Sequence, residues 1–233
     1  MKVGITLPQF SDDPAGAIAA ARRAESVGLD GVFCFDHLWP MGQPGRPALS
    51  PGPLLGALAA ATSTIHVGTL VARIGLLHDD VLVATLASVD RISDGRLIAG
   101  LGTGDHLSRA ENEAFGVPFD AAAERRSRMG AVARALEDRG IPVWVGGGRA
   151  ATVEVARAAG AAVNLWDAAP GDVASLVATG VEVTWGGPVA GNADVIAERL
   201  GSIRAAGATW AVCGWPESIE AVAEASGGLA EGR

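Results

Sequence analysis

The chain has 233 residues, 49% hydrophobic and 19% charged, with a mean hydropathy of +0.29, which is ample apolar side chain for one large core and excludes a disordered polypeptide. Its 18 Lys and Arg face 26 Asp and Glu for a formal net charge of −8, and without a basic run it lacks the attraction on which nucleic-acid binding depends. No stretch approaches the roughly 20 apolar residues of a membrane helix, Met1-Lys2 leads straight into Val3-Gly4-Ile5-Thr6-Leu7 instead of a signal-peptide core, and Cys34 and Cys213 sit in apolar runs, so the chain reads as cytoplasmic with two buried thiols.

In chain order, short apolar runs alternate with helical patterns. A strand over 3–7 precedes a helix that Asp13 opens, with Pro14 at its first position, and Gly28 closes; Ile18, Ala21 and Ala24 form its apolar face. A strand over 31–35 leads through a Pro- and Gly-rich stretch, 39–52, to a helix over 53–62. Next come a strand over 66–70 with a helix over 79–93, and a strand over 96–101 whose helix, 121–139, lies beyond a loop-like stretch, 102–120. The remaining pairs are 142–146 with 151–159, 162–166 with 172–178, 181–185 with 193–206, and 209–214 with 217–225. Eight βα units predict a single α/β domain over 1–233, a parallel eight-stranded (β/α)8 TIM barrel. No Gly-x-Gly-x-x-Gly opens the first βα turn, which argues against an open dinucleotide-binding sheet.

In a barrel of this kind the chemistry is expected where strands hand over to helices. Asp36-His37 follows the second strand: histidine is the residue type suited to proton relay at neutral pH, and His37 either relays a proton or merely hydrogen-bonds a loop. Asp105 follows Gly102-Thr103-Gly104, a turn that lets backbone approach a flat ligand; its other reading is the N-cap of a following helix. Gly146-Gly147-Gly148-Arg149 lies between the fifth strand and its helix, either as a phosphate-holding turn or simply as a flexible one. The histidines have no metal-ligand spacing and no Gly-x-Ser-x-Gly elbow occurs, so neither a metal site nor a serine hydrolase is supported. Trp144, Trp166, Trp185, Trp210 and Trp215, in or beside the late strands, either wall a pocket or fill the barrel.

These pieces together resemble the luciferase-like monooxygenase family, especially its branch using the deazaflavin coenzyme F420. The likeness is carried by Gly28-Leu29-Asp30-Gly31-Val32-Phe33 leading to Asp36-His37-Leu38, by Ile65-His66-Val67-Gly68-Thr69, by Gly95-Arg96-Leu97, by the segment from Gly100 to Asp105, by Phe115-Gly116-Val117-Pro118-Phe119 and by the segment from Ile141 to Gly148. The resemblance implies a flavin or deazaflavin across the strand ends, with its phosphate near Gly146, Gly147, Gly148 and Arg149. It implies that His37 and Asp105 manage protons, that Asp36, Thr103 and Gly104 line the coenzyme, and that Leu70, Val71 and Ala72 form a bulge, often with a non-proline cis peptide, behind the ring. Arg73 and Arg109 are then candidates for the acidic tail or phosphate of F420. The implied activity is hydride transfer between F420 and a small organic substrate, the alternatives being an FMN-dependent monooxygenase or reductase and a flavin-binding protein without turnover. Family precedent and apolar helix faces point to a homodimer. Two departures stand out: Asp105 replaces the usual glutamate, and the barrel is shortened before the fifth strand, where the helix ending near Arg139 meets Ile141 without the family's excursion over the mouth.

Overall fold

Alternation along each strand sorts the side chains into two sets, and a computed structural model, which describes residues 1–231, shows where each set goes. Strands β1 (Lys2–Thr6), β2 (Gly31–Cys34), β3 (His66–Arg73), β4 (Leu97–Gly102), β5 (Val143–Gly146), β6 (Ala162–Trp166), β7 (Val183–Gly187) and β8 (Trp210–Cys213) pair in chain order as a closed parallel barrel. The ring closes where β8 pairs with β1, Lys2 opposite Trp210 and Ile5 opposite Cys213. Around it lie α1 (Ala15–Ser26), α2 (Pro51–Ala61), α3 (Asp79–Ile92), α4 (Ser108–Ala114), α5 (Ala122–Glu137), α6 (Ala150–Ala159), α7 (Pro170–Val177), α8 (Ala193–Ala205) and α9 (Ile219–Glu231). Among the described residues no helix is long and apolar enough to cross a membrane.

Outward-facing strand residues such as Val3, Ile5, Val67, Val143 and Val163 meet Leu55, Leu58, Leu86, Leu136 and Leu200 of the helices in one continuous core. Cys34 and Cys213 belong to it; burial pushes both thiols up, that of Cys213 to about 12, so they pack as apolar groups. The inward set is smaller. Phe33, Trp144 and Trp210 fill the lumen near the amino-terminal strand ends, with ring centroids 5.1, 5.9 and 5.4 Å apart pairwise, and Lys2 Nζ lies 5.1 Å from the Trp210 ring centroid. These rings fit because their neighbours have no side chain: a Cβ on Gly68 would stand 2.7 Å from Phe33, and one on Gly31 3.0 Å from Trp210.

Caps are local. Asp13 Oδ1 accepts from Ala15 N at 2.9 Å to start α1 as expected, and Asn192 Oδ1 accepts from Val195 N at 3.1 Å to start α8. Three boundaries differ from the sequence reading in ways that matter for the site. Strand β3 runs on past residue 70 to Arg73, the stretch 102–120 contains helix α4, and β7 begins and ends two residues late because Gly186 and Gly187 continue the ladder opposite Val212 and Cys213. As expected, α5 meets β5 across a short link, 138–142, and Glu137 Oε1 accepts from Val143 N at 2.9 Å.

Candidate active site

At the carboxyl end of β2, the chain leaves the barrel through Phe35, Asp36 and His37, and α4 brings a carboxylate to meet it. Glu111 on α4 is 1% exposed, and its two oxygens take three donors: His37 Nδ1 at 2.7 Å on one, Arg73 Nη2 at 2.7 Å and Leu38 N at 3.1 Å on the other. A carboxylate only accepts, so His37 carries its proton on Nδ1 and Nε2 is the nitrogen left for chemistry. Arg73, 4% exposed, also reaches Ser108 O at 3.4 Å through Nη1, and its backbone N donates to Asp36 Oδ2 at 2.8 Å. Burial raises the Asp36 carboxyl above the usual range, against the opposing pull of the Arg73 amide and charge. Four polar side chains from three segments thus form one braced unit.

Helix α4 is held at its start by Asp105. Its Oδ1 accepts from Leu107 N at 2.9 Å, Ser108 N at 3.1 Å and Ser108 Oγ at 3.3 Å, and Asp105 N donates to Ser108 Oγ at 3.3 Å, a reciprocal cap. Burial opposes ionisation of Asp105, but the Ser108 and Leu107 amides and the Ser108 hydroxyl outweigh it and hold the carboxyl below its ordinary value. Thr103 O is pinned by Arg125 Nε at 2.6 Å, and Gly104 turns at φ +68°.

The third part of the mouth is the β3 bulge. Register passes from Thr69 opposite Ala99 to Ala72 opposite Leu101, so Leu70 and Val71 together face Gly100. An extra residue sends two consecutive side chains inward: Leu70 joins the lumen cluster with Val71 against it, while Ala72 turns out into the surrounding core. The Leu70-Val71 peptide is cis. Val71 lies on a bed that only glycine allows, since a Cβ on Gly102 would stand 2.3 Å from Val71 Cγ2, and one on Gly100 or Gly146 3.2 Å from Val71 Cγ1. Beyond Gly146, Gly147 donates to Asn164 O at 2.9 Å and turns at φ +114°; Gly148 and Arg149 are exposed, and α6 starts without a side-chain cap. Thr152 N and Val153 N donate to Arg149 O, so in the first turn the amides that face an anion are those of Ala150 and Ala151.

Across the mouth, a cavity of about 490 Å³ is walled by Phe10, Phe35, Trp166, Trp215 and Pro188. Phe10 and Phe35 stack with centroids 6.1 Å apart, and Phe35 meets Trp166 edge-on at 5.7 Å. Trp166 and Trp215 remain 48% and 47% exposed, whereas Trp144, Trp185 and Trp210 are buried, so the tryptophans divide between pocket wall and packing.

A bulged third strand, a histidine after the second and a glycine turn after the fifth invite comparison with known proteins, and the model of the family described as luciferase-like monooxygenase matches residues 1–129. The chain belongs to that family. The F420-dependent glucose-6-phosphate dehydrogenase of Beutenbergia cavernae is 34% identical over 117 residues, 50% of this chain and 34% of that protein, so the match spans about a third of the relative's length. Of solved structures, an F420-dependent secondary alcohol dehydrogenase in complex with an F420-acetone adduct superposes with TM-score 0.78 at 14% identity, covering 96% of this chain and 97% of the other. A monooxygenase from Streptomyces bottropensis gives 0.74 at 17%, over 99% and 98%. Likeness at that identity is one of fold.

In this member of the luciferase-like monooxygenase family, the expected residues outside the β3 bulge fall into three groups. His37 and Asp36 share the braced unit; Asp105, Thr103 and Gly104 shape the turn that positions α4; Gly146 ends β5 under Val71, and Gly147, Gly148 and Arg149 follow it. Among the described residues Asp105 makes no hydrogen bond to His37, and its contacts are those of a cap. Arg73 is not a surface cation for a coenzyme tail: it is buried against Glu111. Arg109 is exposed, 3.9 Å from Glu113 and 4.9 Å from the Phe119 ring. Sequence reasoning missed Glu111, whose one signal is the spacing of Ser108, Glu111 and Asn112, which share a helix face.

Proposed function

We propose that this protein is an F420-dependent oxidoreductase, a single barrel domain acting on a small molecule. The observation that carries the reading is the state of His37: Glu111 holds Nδ1 at 2.7 Å, Nε2 has no hydrogen bond among the described residues, and the side chain keeps 22% exposure. Identity of 34% with an F420-dependent relative over half of the chain supports the coenzyme. The residues present fit it. A flat ring needs a firm apolar backing, and Val71, partly exposed on its glycine bed, offers one. A phosphate needs amides and a cation; the start of α6 offers both, for Arg149 is exposed and its side chain has no partner among the described residues.

When bound, F420 supplies a two-electron carrier that gives or takes a hydride. Everything else falls to the chain. Leu70 and Val71 would back the ring, and Gly147, Gly148 and Arg149 would hold the phosphate. His37 Nε2 would move a proton at the substrate's oxygen, while Glu111 fixes the ring's orientation through Nδ1. Asp105 would serve by fixing α4, and so Glu111, in place. The buried, unpaired thiols fit a reducing cytoplasm, and exposed Val81 and Ile92 on α3 fit a homodimer contact.

The test is a titration of the purified protein with F420 and, separately, FMN, following ligand fluorescence. We expect micromolar or tighter binding of F420 and none of FMN, and in His37→Ala unchanged F420 binding with turnover lowered about 100-fold. Preference for FMN, or binding of neither, overturns the reading.

A further inference from the structure

The aromatic cavity across the mouth from Val71 has a chemistry of its own. Among the described residues that line it, none is charged. Two carry hydroxyls. Ser11 Oγ, at the rim, accepts from Asp13 N at 3.1 Å. Thr6 Oγ1 is fully buried and has no hydrogen-bond partner. Its direction follows from alternation: Ile5 and Leu7 pack in the outer core, so Thr6, the last residue of β1, faces the lumen beneath the cavity. Native structures satisfy nearly all buried hydroxyls, and one left at the floor of an apolar cavity marks where a ligand oxygen belongs.

We propose that this cavity is the substrate site of the oxidoreductase described above and that it takes an uncharged, largely apolar alcohol or ketone, whose single oxygen meets Thr6 Oγ1. The inference rests on that functional reading and narrows it. Phe10, Phe35, Trp166 and Trp215 offer ring faces and edges over about 490 Å³, a volume suited to a molecule of one or two rings. A sugar phosphate would shed its hydration there against aromatic walls with no cation to pair its charge. The ligand class therefore differs from the one named for the Beutenbergia cavernae relative.

The experiment compares 1-phenylethanol, ethylbenzene and glucose 6-phosphate as ligands of the whole chain, by tryptophan fluorescence and calorimetry, with and without F420. Ethylbenzene has the ring but lacks the oxygen. We expect the alcohol to bind about 5- to 10-fold tighter than ethylbenzene, and Thr6→Val to erase that ratio while melting no lower than the parent. Trp215→Ala, a change at a half-exposed position, should weaken both aromatic ligands several-fold, and glucose 6-phosphate should not bind. A ratio unchanged in Thr6→Val, sugar phosphate binding as tight as the alcohol, or displacement of the alcohol by F420 each overturns the assignment. Because F420 affinity is read on the same preparation, a protein that binds F420 but neither aromatic ligand sinks this inference alone. One that binds the alcohol as expected but no F420 upholds the ligand class and sinks the coenzyme.

Discussion

Between β2 and β4 the barrel mouth is polar and braced, and between β6 and β1 it is apolar and open. On the first side Asp36, His37, Arg73 and Glu111 are linked through contacts of 2.7 to 2.8 Å, and the central carboxylate and guanidinium are almost wholly withdrawn from water. On the second, rings of Phe10, Phe35, Trp166 and Trp215 enclose space with few polar contacts. Buried charges survive only when each has its partner, so altering one of the four exposes the rest to a desolvation penalty. Apolar area is less demanding, and most changes of ring or volume leave such a wall folded. The polar side is thus fixed by mutual need, and the apolar side is free to vary.

The sharpest way to break that contrast is Glu111→Ala, which strands the Arg73 guanidinium and unfixes His37. It should cost about 3 to 5 kcal/mol in denaturant unfolding, and a loss below about 1 kcal/mol would mean that the polar side is not braced as described. A smaller effect is expected at the opposite end of the barrel, where Glu25 Oε1 accepts from Thr64 N at 2.6 Å, Ser63 N at 2.7 Å and Ile65 N at 3.1 Å. Burial disfavours its ionised form, but these amides and the Thr64 hydroxyl outweigh it and lower the carboxyl from 4.5 to about 2. A lowered carboxyl stabilises the fold above its ordinary value, and that contribution disappears as pH falls from 4.5 towards 2. Melting followed over this range should show about 1 to 2 kcal/mol of acid sensitivity that Glu25→Gln lacks, the partial exposure of the site keeping the figure modest. An unchanged slope in the variant would place the acid sensitivity elsewhere. The mildest change is at Asp105: Asp105→Ala should cost about 1 kcal/mol in urea unfolding and Asp105→Asn only a few tenths, because asparagine caps nearly as well. Equal losses would show that charge, not capping, is what α4 requires.

The strands are legible because each is a short apolar run buried on both faces, and turn residues bound most of them. β7 is the exception: the sequence reading ends it at residue 185, yet Gly186 and Gly187 stay in the ladder opposite Val212 and Cys213, where a Cβ would stand 2.9 Å from Trp166 and 2.5 Å from Trp185. Helix α4 escapes apolar periodicity altogether, since the face it buries is Ser108, Glu111 and Asn112. Within the site, His37 and the glycine turn can be located from their places after strands, and Val71 from the family likeness. Glu111 cannot, because its partners lie 74 and 38 positions away and only closure of the barrel brings them together. Thr6 looks like any strand threonine until the cavity above it is seen.

The plug of Phe33, Trp144 and Trp210 closes the lumen from below. Sealed at one end, the barrel leaves a ligand only its carboxyl-terminal mouth, on the side where His37, Val71 and the glycine turn lie.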